Sequence, residues 1–380
     1  MTASLTPPVV PEDDVLRSLR LEVREFLAGE VARGDITPGV DTWLTQWDTA
    51  FTRRLAERGW LGMTIPTEYG GRGRSFMERF VVTEELLAAG APVAAQWVAD
   101  RQIAPTLLRF GTATQKERFL PGIASGELCF AIGMSEPDSG SDLASVRTKG
   151  ERGDGGWKVT GTKVWTSGAH EADAFFALVR TSPVDPQDRH AGLSQLVVEL
   201  SRPGVEIRPI ISMGGQHHFN EVHLDGVFVP DELVLGEIGA GWQQVTSELA
   251  FERSGPERFM STIRLQAEVV RAAAHDSVAD PEIGATLARI WGLHQMSMAV
   301  SGALQRREGA DVAAALVKIM GTDLEGGIAE TANLTLGAGG RDEQLARLMT
   351  TALLQRPGFT LRGGTTEILR GVVARGLGMR

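Results

Sequence analysis

At 380 residues, 42% hydrophobic and 23% charged, the chain has the composition of an ordinary folded protein with one large core or two to three smaller ones. A formal net charge of −10 excludes a general attraction for nucleic acid or anionic lipid, but leaves room for a local basic pocket that takes a phosphate-bearing ligand. The single cysteine, Cys129, excludes an intrachain disulfide and a multi-cysteine metal site, and reads as a small buried hydrophobe. Residues 1–14 show no basic segment followed by an apolar one, and no run of about 18 apolar residues occurs anywhere. A cytoplasmic protein without membrane insertion is therefore expected.

The first third carries helical spacing. Val15, Leu19, Val23 and Phe26 recur every three or four residues, as do Trp43, Trp47, Phe51 and Leu55. A Gly/Pro-rich stretch over 59–74 interrupts the pattern and holds the one tyrosine, in Tyr69-Gly70-Gly71. Helical spacing resumes through Phe80, Leu86 and Leu87, and again through Ile103, Leu107 and Leu108. Near residue 127 the period changes. Strands are predicted over 157–160, 163–166, 174–180, 193–200, 205–210 and 221–228, separated by turn residues, with 181–192 as an exposed loop. From about 241 the period is helical again, over 242–275, 281–308 and 311–336, with Pro281 placed to open a first turn. Helices, then strands, then helices define an α+β chain and exclude an alternating βαβ plan. The predicted division is an N-terminal α-helical domain over 1–126, a middle β-domain over 127–235 and a C-terminal helical bundle over 236–380.

Three segments combine residues suited to ligand binding. The first is Met134-Ser135-Glu136-Pro137-Asp138-Ser139-Gly140-Ser141-Asp142, after the apolar run 128–132. A strand end that flows into a Ser/Gly/Asp turn offers N–H groups and hydroxyls, but a plain turn explains the same residues as well. The second is Gly161-Thr162-Lys163-Val164-Trp165-Thr166-Ser167-Gly168, which would set an aromatic face and two hydroxyls against a flat ring if Trp165 is not simply core. The third is Leu361-Arg362-Gly363-Gly364-Thr365-Thr366-Glu367-Ile368, where a Gly-Gly pair leads into a helix capped by Thr365. His217-His218 lacks partners at metal-ligand spacing and reads as polar surface or loop, and His190 falls in the exposed loop.

In this order and spacing, the three segments resemble the signatures of the acyl-CoA dehydrogenase family. Gly59-Trp60-Leu61-Gly62, Pro66, Glu68-Tyr69-Gly70-Gly71 and Glu84-Glu85-Leu86 extend the resemblance to the N-terminal domain, so that it covers nearly the whole chain. The resemblance implies an N-terminal helical domain, a middle β-barrel or sandwich, a C-terminal four-helix bundle, and noncovalent FAD. It implies that Ile132, Met134 and Ser135 lie along the flavin and that Trp165, Thr166 and Ser167 flank its other side. Thr365 and Glu367 match positions near the cofactor. Gly337 and Gly339, in the run 336–340, match a Gly-rich loop that touches the FAD of a neighbouring subunit. Ser141 and Arg253 match substrate-binding positions, and the Gly364 N–H matches a donor to the thioester carbonyl. No metal is implied.

Many members of the family carry their catalytic glutamate where this chain has Gly363. Isovaleryl- and long-chain-type members carry it instead on the first long C-terminal helix, as Glu-Arg. Here that helix opens at Gly241-Trp242 and Glu252-Arg253 follows at the matching distance, so Glu252 is the expected base. A solvated helix charge and a charge that only pairs in the neighbourhood of Arg253 are its alternatives. Burial beside a flavin and an acyl chain would raise its pKa, as suits a base that must keep the proton it takes. The resemblance implies conversion of an acyl-CoA to its trans-2-enoyl-CoA, with electron-transfer flavoprotein as acceptor, in a homo-oligomer that is a dimer or a tetramer. An acyl-carrier-protein dehydrogenase, a flavin oxidase or monooxygenase, and a flavin-poor partner subunit of a hetero-oligomer are the alternatives on the same fold. The family's Arg-x-x-Phe-Gly run, which binds FAD across the subunit interface, is absent from the sequence around 276–289.

Overall fold

In a computed structural model, which describes residues 5–253, 255–273, 281–336 and 343–379, the chain opens with helix α1 (Asp14–Arg33). Asp13 caps it by accepting from Leu16 N at 2.9 Å, and Gly34, with φ 75°, ends it. Its buried face is Leu16, Leu19, Val23 and Leu27, whereas Val15 is 65% exposed and Phe26 half-buried. The face inferred from the sequence is thus rotated by one residue at each end, because 16-19-23-27 satisfies the same spacing. The expected single helix through Trp43 and Leu55 is two, α2 (Thr42–Thr45) and α3 (Thr49–Glu57). Asp48 separates them by capping α3, accepting from Phe51 N at 2.8 Å.

Helix α4 (Phe76–Ala88) starts in a capping box between Ser75 and Glu78. Helices α5 (Ala94–Val98) and α6 (Ala104–Phe110) are joined by a π-helical turn over Ala99–Ile103. Helix α7 (Ala113–Ser125) begins in a second capping box, Thr112 with Gln115.

The strands are β1 (Phe130–Gly133), β2 (Lys149–Gly153), β3 (Gly156–Ser167), β4 (Ala174–Arg180), β5 (Leu193–Glu199), β6 (Val205–Ile211), β7 (His217–Pro230) and β8 (Val234–Leu235). They form one sheet in the order β6-β7-β3-β2-β4-β5-β8, with β1 parallel to β4. The strands expected at 157–160 and 163–166 are one strand, β3, interrupted by register shifts against β7 at Val159/Gly161 and Lys163/Thr166. The His217-His218 pair belongs to strand β7: His217 is exposed, as expected, and stacks on His170 with ring centroids 3.9 Å apart, whereas His218 is buried at 5% exposure.

Helix α8 (Gly241–Arg253) and α9 (Ile263–Ala273) replace the single helix expected over 242–275. A short 3-10 turn at Pro256–Arg258 lies between them, since Pro256 lacks the N–H that would continue α8. Helices α10 (Pro281–Gln305), α11 (Asp311–Leu336), α12 (Glu343–Phe359) and α13 (Thr366–Gly376) complete the chain.

The elements fall into two compact units. The helical unit comprises Met1–Gln46, Arg74–Pro92 and Glu252–Arg380. Within it α11 packs on α9, α10, α12 and α13, and α4 packs on α1 and α10. The sheet unit comprises Trp47–Gly73 and Val93–Phe251. Its core gathers side chains such as Leu107, Leu120, Phe130, Phe175, Phe176 and Val222. Both Phe175 and Phe176 are fully buried on opposite faces of β4, each worth about 1.5–3 kcal/mol of burial.

Candidate functional site

The sheet unit brings two of the three ligand-type segments side by side. Strand β1 ends at Gly133 and delivers Met134 and Ser135 beside β3, where Val164 N donates to the Ser135 carbonyl at 2.9 Å. Ile132, Met134, Ser135 and Ser167 are half-buried. The second register shift of β3 sets Trp165 at φ 60°, a left-handed conformation that costs a bulky residue about 1–2 kcal/mol. Its ring is 57% exposed and meets the Phe219 edge at 5.7 Å between centroids. Trp165 is therefore not core. Thr166 is fully buried, and its hydroxyl has no partner among the described residues. An open aromatic face, with a Ser135 N–H and a buried Thr166 hydroxyl that have no partner among the described residues, suits a flat ring rimmed by polar atoms, and FAD is such a group.

Ser141 is exposed in the turn that follows. That turn is held internally by Ser139 Oγ donating to the Asp142 carbonyl at 2.6 Å. From outside, Arg189 pairs with Asp142 at 2.7 Å. The loop expected over 181–192 contains no helix or strand, and His190 stacks on Trp242 with centroids 4.1 Å apart.

Sequence reasoning missed a buried charge pair beneath these segments. Lys163 Nζ donates to Glu136 Oε1 at 2.8 Å and to the Met134 carbonyl at 3.2 Å. The Glu136 carboxylate also accepts from Arg147 N at 2.6 Å and Thr148 N at 2.8 Å. Burial pushes the Lys163 ammonium down to about 8, against the pull of Glu136. Burial also works to raise the Glu136 carboxyl, but Lys163 and the N–H donors outweigh it and hold it below the usual carboxylate range. Both residues stand inside the two signatures, yet nothing in their spacing announces that they touch.

The helical unit holds the third segment. Gly363 and Gly364 take φ 67° and 86°, a left-handed pair that favours glycine at both places. Arg253 Nε donates to the Gly363 carbonyl at 3.3 Å, and the fully buried Lys318 Nζ donates to the Gly364 carbonyl at 2.7 Å. A Cβ at Gly364 would lie 3.1 Å from the Arg253 guanidinium. Thr365 caps α13, accepting from Ile368 N. Glu367 is exposed in the first turn, where its own N–H and the Thr365 hydroxyl hold its carboxyl low. Arg362, the residue before the glycines, pairs with the buried Asp41 at 2.6 Å and lies 4.5 Å above the Trp43 ring. Next to it, burial pushes the Glu325 carboxyl up to about 7.

Glu252 lies on α8, and its side chain is outside the described residues. Gly337 and Gly339 are also outside them, as are residues 276–280, in the stretch that lacks the Arg-x-x-Phe-Gly run. Cys129 is buried, as expected, with its thiol pushed up to about 11 by burial. Among the described residues no cluster of His, Cys, Asp and Glu could hold a metal ion, and no helix is long and apolar enough to cross a membrane.

The chain is similar to known proteins along most of its length. Residues 13–127 match the family model of the acyl-CoA dehydrogenase N-terminal domain, and residues 131–227 match that of the acyl-CoA dehydrogenase middle domain. The chain is 35% identical to acyl-CoA dehydrogenase IpdE1 of Mycobacterium tuberculosis over 94% of its own length and 96% of that protein. It is 45% identical over 203 residues to acyl-CoA dehydrogenase FadE34 of the same organism, a match that spans 52% of this chain and 27% of FadE34. A solved structure described as "Tcur3481-Tcur3483 steroid ACAD" superposes with a TM-score of 0.86 at 31% identity, covering 97% of this chain and 99% of that one.

Proposed function

Since the chain belongs to the acyl-CoA dehydrogenase family and is an oxidoreductase, we propose that it converts an acyl-CoA thioester to the trans-2-enoyl-CoA with FAD as its cofactor. The observation that carries the reading is the junction of the two flavin signatures. There the Ser135 carbonyl meets Val164 N, the Trp165 ring stands exposed, and the Thr166 hydroxyl is buried without a partner. Ile132, Met134 and Ser135 would hold one side of the isoalloxazine and Trp165, Thr166 and Ser167 the other. By the family resemblance, Thr365 and Glu367 are proposed as residues near the cofactor, and Gly337 and Gly339 as residues near the FAD of a neighbouring subunit.

The chemistry supplied by FAD, when bound, is acceptance of the β-hydride at its N5. The protein does the rest. The Glu252 carboxylate takes the α-proton. The Gly364 N–H holds the thioester oxygen, where negative charge grows as that proton leaves. Ser141 and Arg253 orient the acyl-CoA. Arg253 also holds the Gly363 carbonyl, and so sets the plane of the peptide that carries the Gly364 N–H. Electron-transfer flavoprotein is the proposed acceptor.

A second reading concerns assembly. The similar steroid ACAD is described by two chain names, and this sequence lacks the Arg-x-x-Phe-Gly run. Both favour a hetero-oligomer in which a second chain completes part of the FAD site. The test of the main reading is anaerobic mixing of the FAD-loaded protein with straight-chain, branched and steroid acyl-CoA thioesters. Bleaching of the flavin by at least one of them is expected. Protein that stays colourless after added FAD contradicts the reading and favours a flavin-poor partner subunit. Rapid reoxidation of the bleached flavin by oxygen points to an oxidase or monooxygenase.

A further inference from the structure

Two charges buried in the sheet unit have no role in the reaction as described. Lys163 is 0% exposed and Glu136 is 7% exposed. Withdrawing such a pair from water costs several kcal/mol per ion, and apolar residues of similar volume often pack as well or better. The pair lies where the two flavin signatures meet. Lys163 Nζ bridges Glu136 Oε1 at 2.8 Å and the Met134 carbonyl at 3.2 Å. Glu136 is fixed in turn by the N–H groups of Arg147 and Thr148.

The Met134 carbonyl and the Ser135 N–H belong to one planar trans peptide and point to opposite sides of it. An ammonium on the carbonyl therefore fixes the direction of that N–H and polarises it into a stronger donor. The Ser135 carbonyl is already taken by Val164 N, while the Ser135 N–H has no partner among the described residues. We propose that Lys163 is a positioning residue for the flavin, which aims and strengthens the Ser135 N–H through the Met134–Ser135 peptide, with Glu136 holding Lys163 in place. The proposal rests on the reading that Ser135 faces the flavin ring. Its consequence is electronic as well as geometric. A donor strengthened by a cation stabilises the negative charge that a ring gains on reduction, so it raises the reduction potential.

A pair that merely closes the 134–148 loop on β3 could be replaced by a neutral pair of similar shape without change to the flavin. The test uses apo protein titrated with FAD, followed by the midpoint potential of the loaded protein, for wild type and for the double variant Lys163→Met/Glu136→Gln. The double variant should keep its melting temperature within a few degrees. It should bind FAD about tenfold more weakly, the worth of one charge-assisted hydrogen bond, and its midpoint potential should fall. Lys163→Gln is the second variant, since it keeps a donor and removes only the charge. Its potential should fall as well. Wild-type affinity and potential in the double variant, or an unchanged potential in Lys163→Gln, overturns the proposal. Failure of the wild-type protein to take up FAD would instead sink the flavin reading on which it stands.

Discussion

Replacing Glu325 by glutamine should stabilise the protein in mild alkali and do nothing in mild acid. Glu325 is fully buried on α11. One carboxylate oxygen accepts from Ser261 N at 2.7 Å, and the other has no partner among the described residues. Burial is the dominant influence on its pKa and lifts it from 4.5 to about 7, although Arg362 pulls the other way. A folded-state value above the unfolded one means that folding favours the protonated form. The contribution is fully present below the unfolded value and is lost as pH rises through about 7. At about 1.36 kcal/mol per pH unit, the displacement is worth at most about 3 kcal/mol. Glutamine keeps an acceptor for Ser261 N and carries no charge at any pH. The value of about 7 is already net of the attraction to Arg362, so the gain expected at pH 8 is about 3 kcal/mol at most. Thermal and urea unfolding of Glu325→Gln and wild type at pH 4, below the unfolded value, and at pH 8 measure it. Near-equal stability at pH 4 with a gain at pH 8 is expected. A loss at pH 8, or the same change at both pH values, refutes the reasoning.

Trp165→Ala should change the unfolding midpoint by no more than about 0.5 kcal/mol, because the ring is 57% exposed. FAD titration of the same variant should show affinity weakened by the roughly 0.5–1.5 kcal/mol of a lost aromatic contact. Thr365→Ala removes the cap of α13 and should destabilise the protein by about 1 kcal/mol in urea unfolding. Gly71→Ala places a Cβ 2.1 Å from the Ile65 carbonyl oxygen, so a loss of about 1–3 kcal/mol in the same assay is expected, and none would mean that the turn yields.

The legible parts of the fold were those where one periodicity had no competitor. Strand β4 is an unbroken apolar run bounded by turn residues, and helix α11 begins and ends where its pattern does. Strand β2 was missed because Lys149–Gly153 has four exposed residues among five and so no alternation to read. Its pairing with β3 and β4, which is tertiary, makes it a strand. Missed breaks had a visible cause in Asp48, a ready N-cap, and in Pro256. The two α1 faces differ by one residue because helical spacing tolerates either.

For the candidate site, Ser135, Trp165 and the Gly363-Gly364 turn were readable as motif residues. Their companions were not. Lys163 and Lys318 read as ordinary lysines, and burial alone reveals that they hold the Met134 and Gly364 carbonyls. Sequence spacing carries no information about side chains that meet across 27 or 46 positions.

We propose that this family member takes its α-proton with Glu252 on α8, because Gly363 leaves no base at the other place. The most direct test is stopped-flow bleaching of the FAD-loaded Glu252→Gln variant by the acyl-CoA that bleaches the wild type fastest. FAD bound as in wild type and flavin reduction abolished are expected. Reduction at the wild-type rate would contradict the proposal.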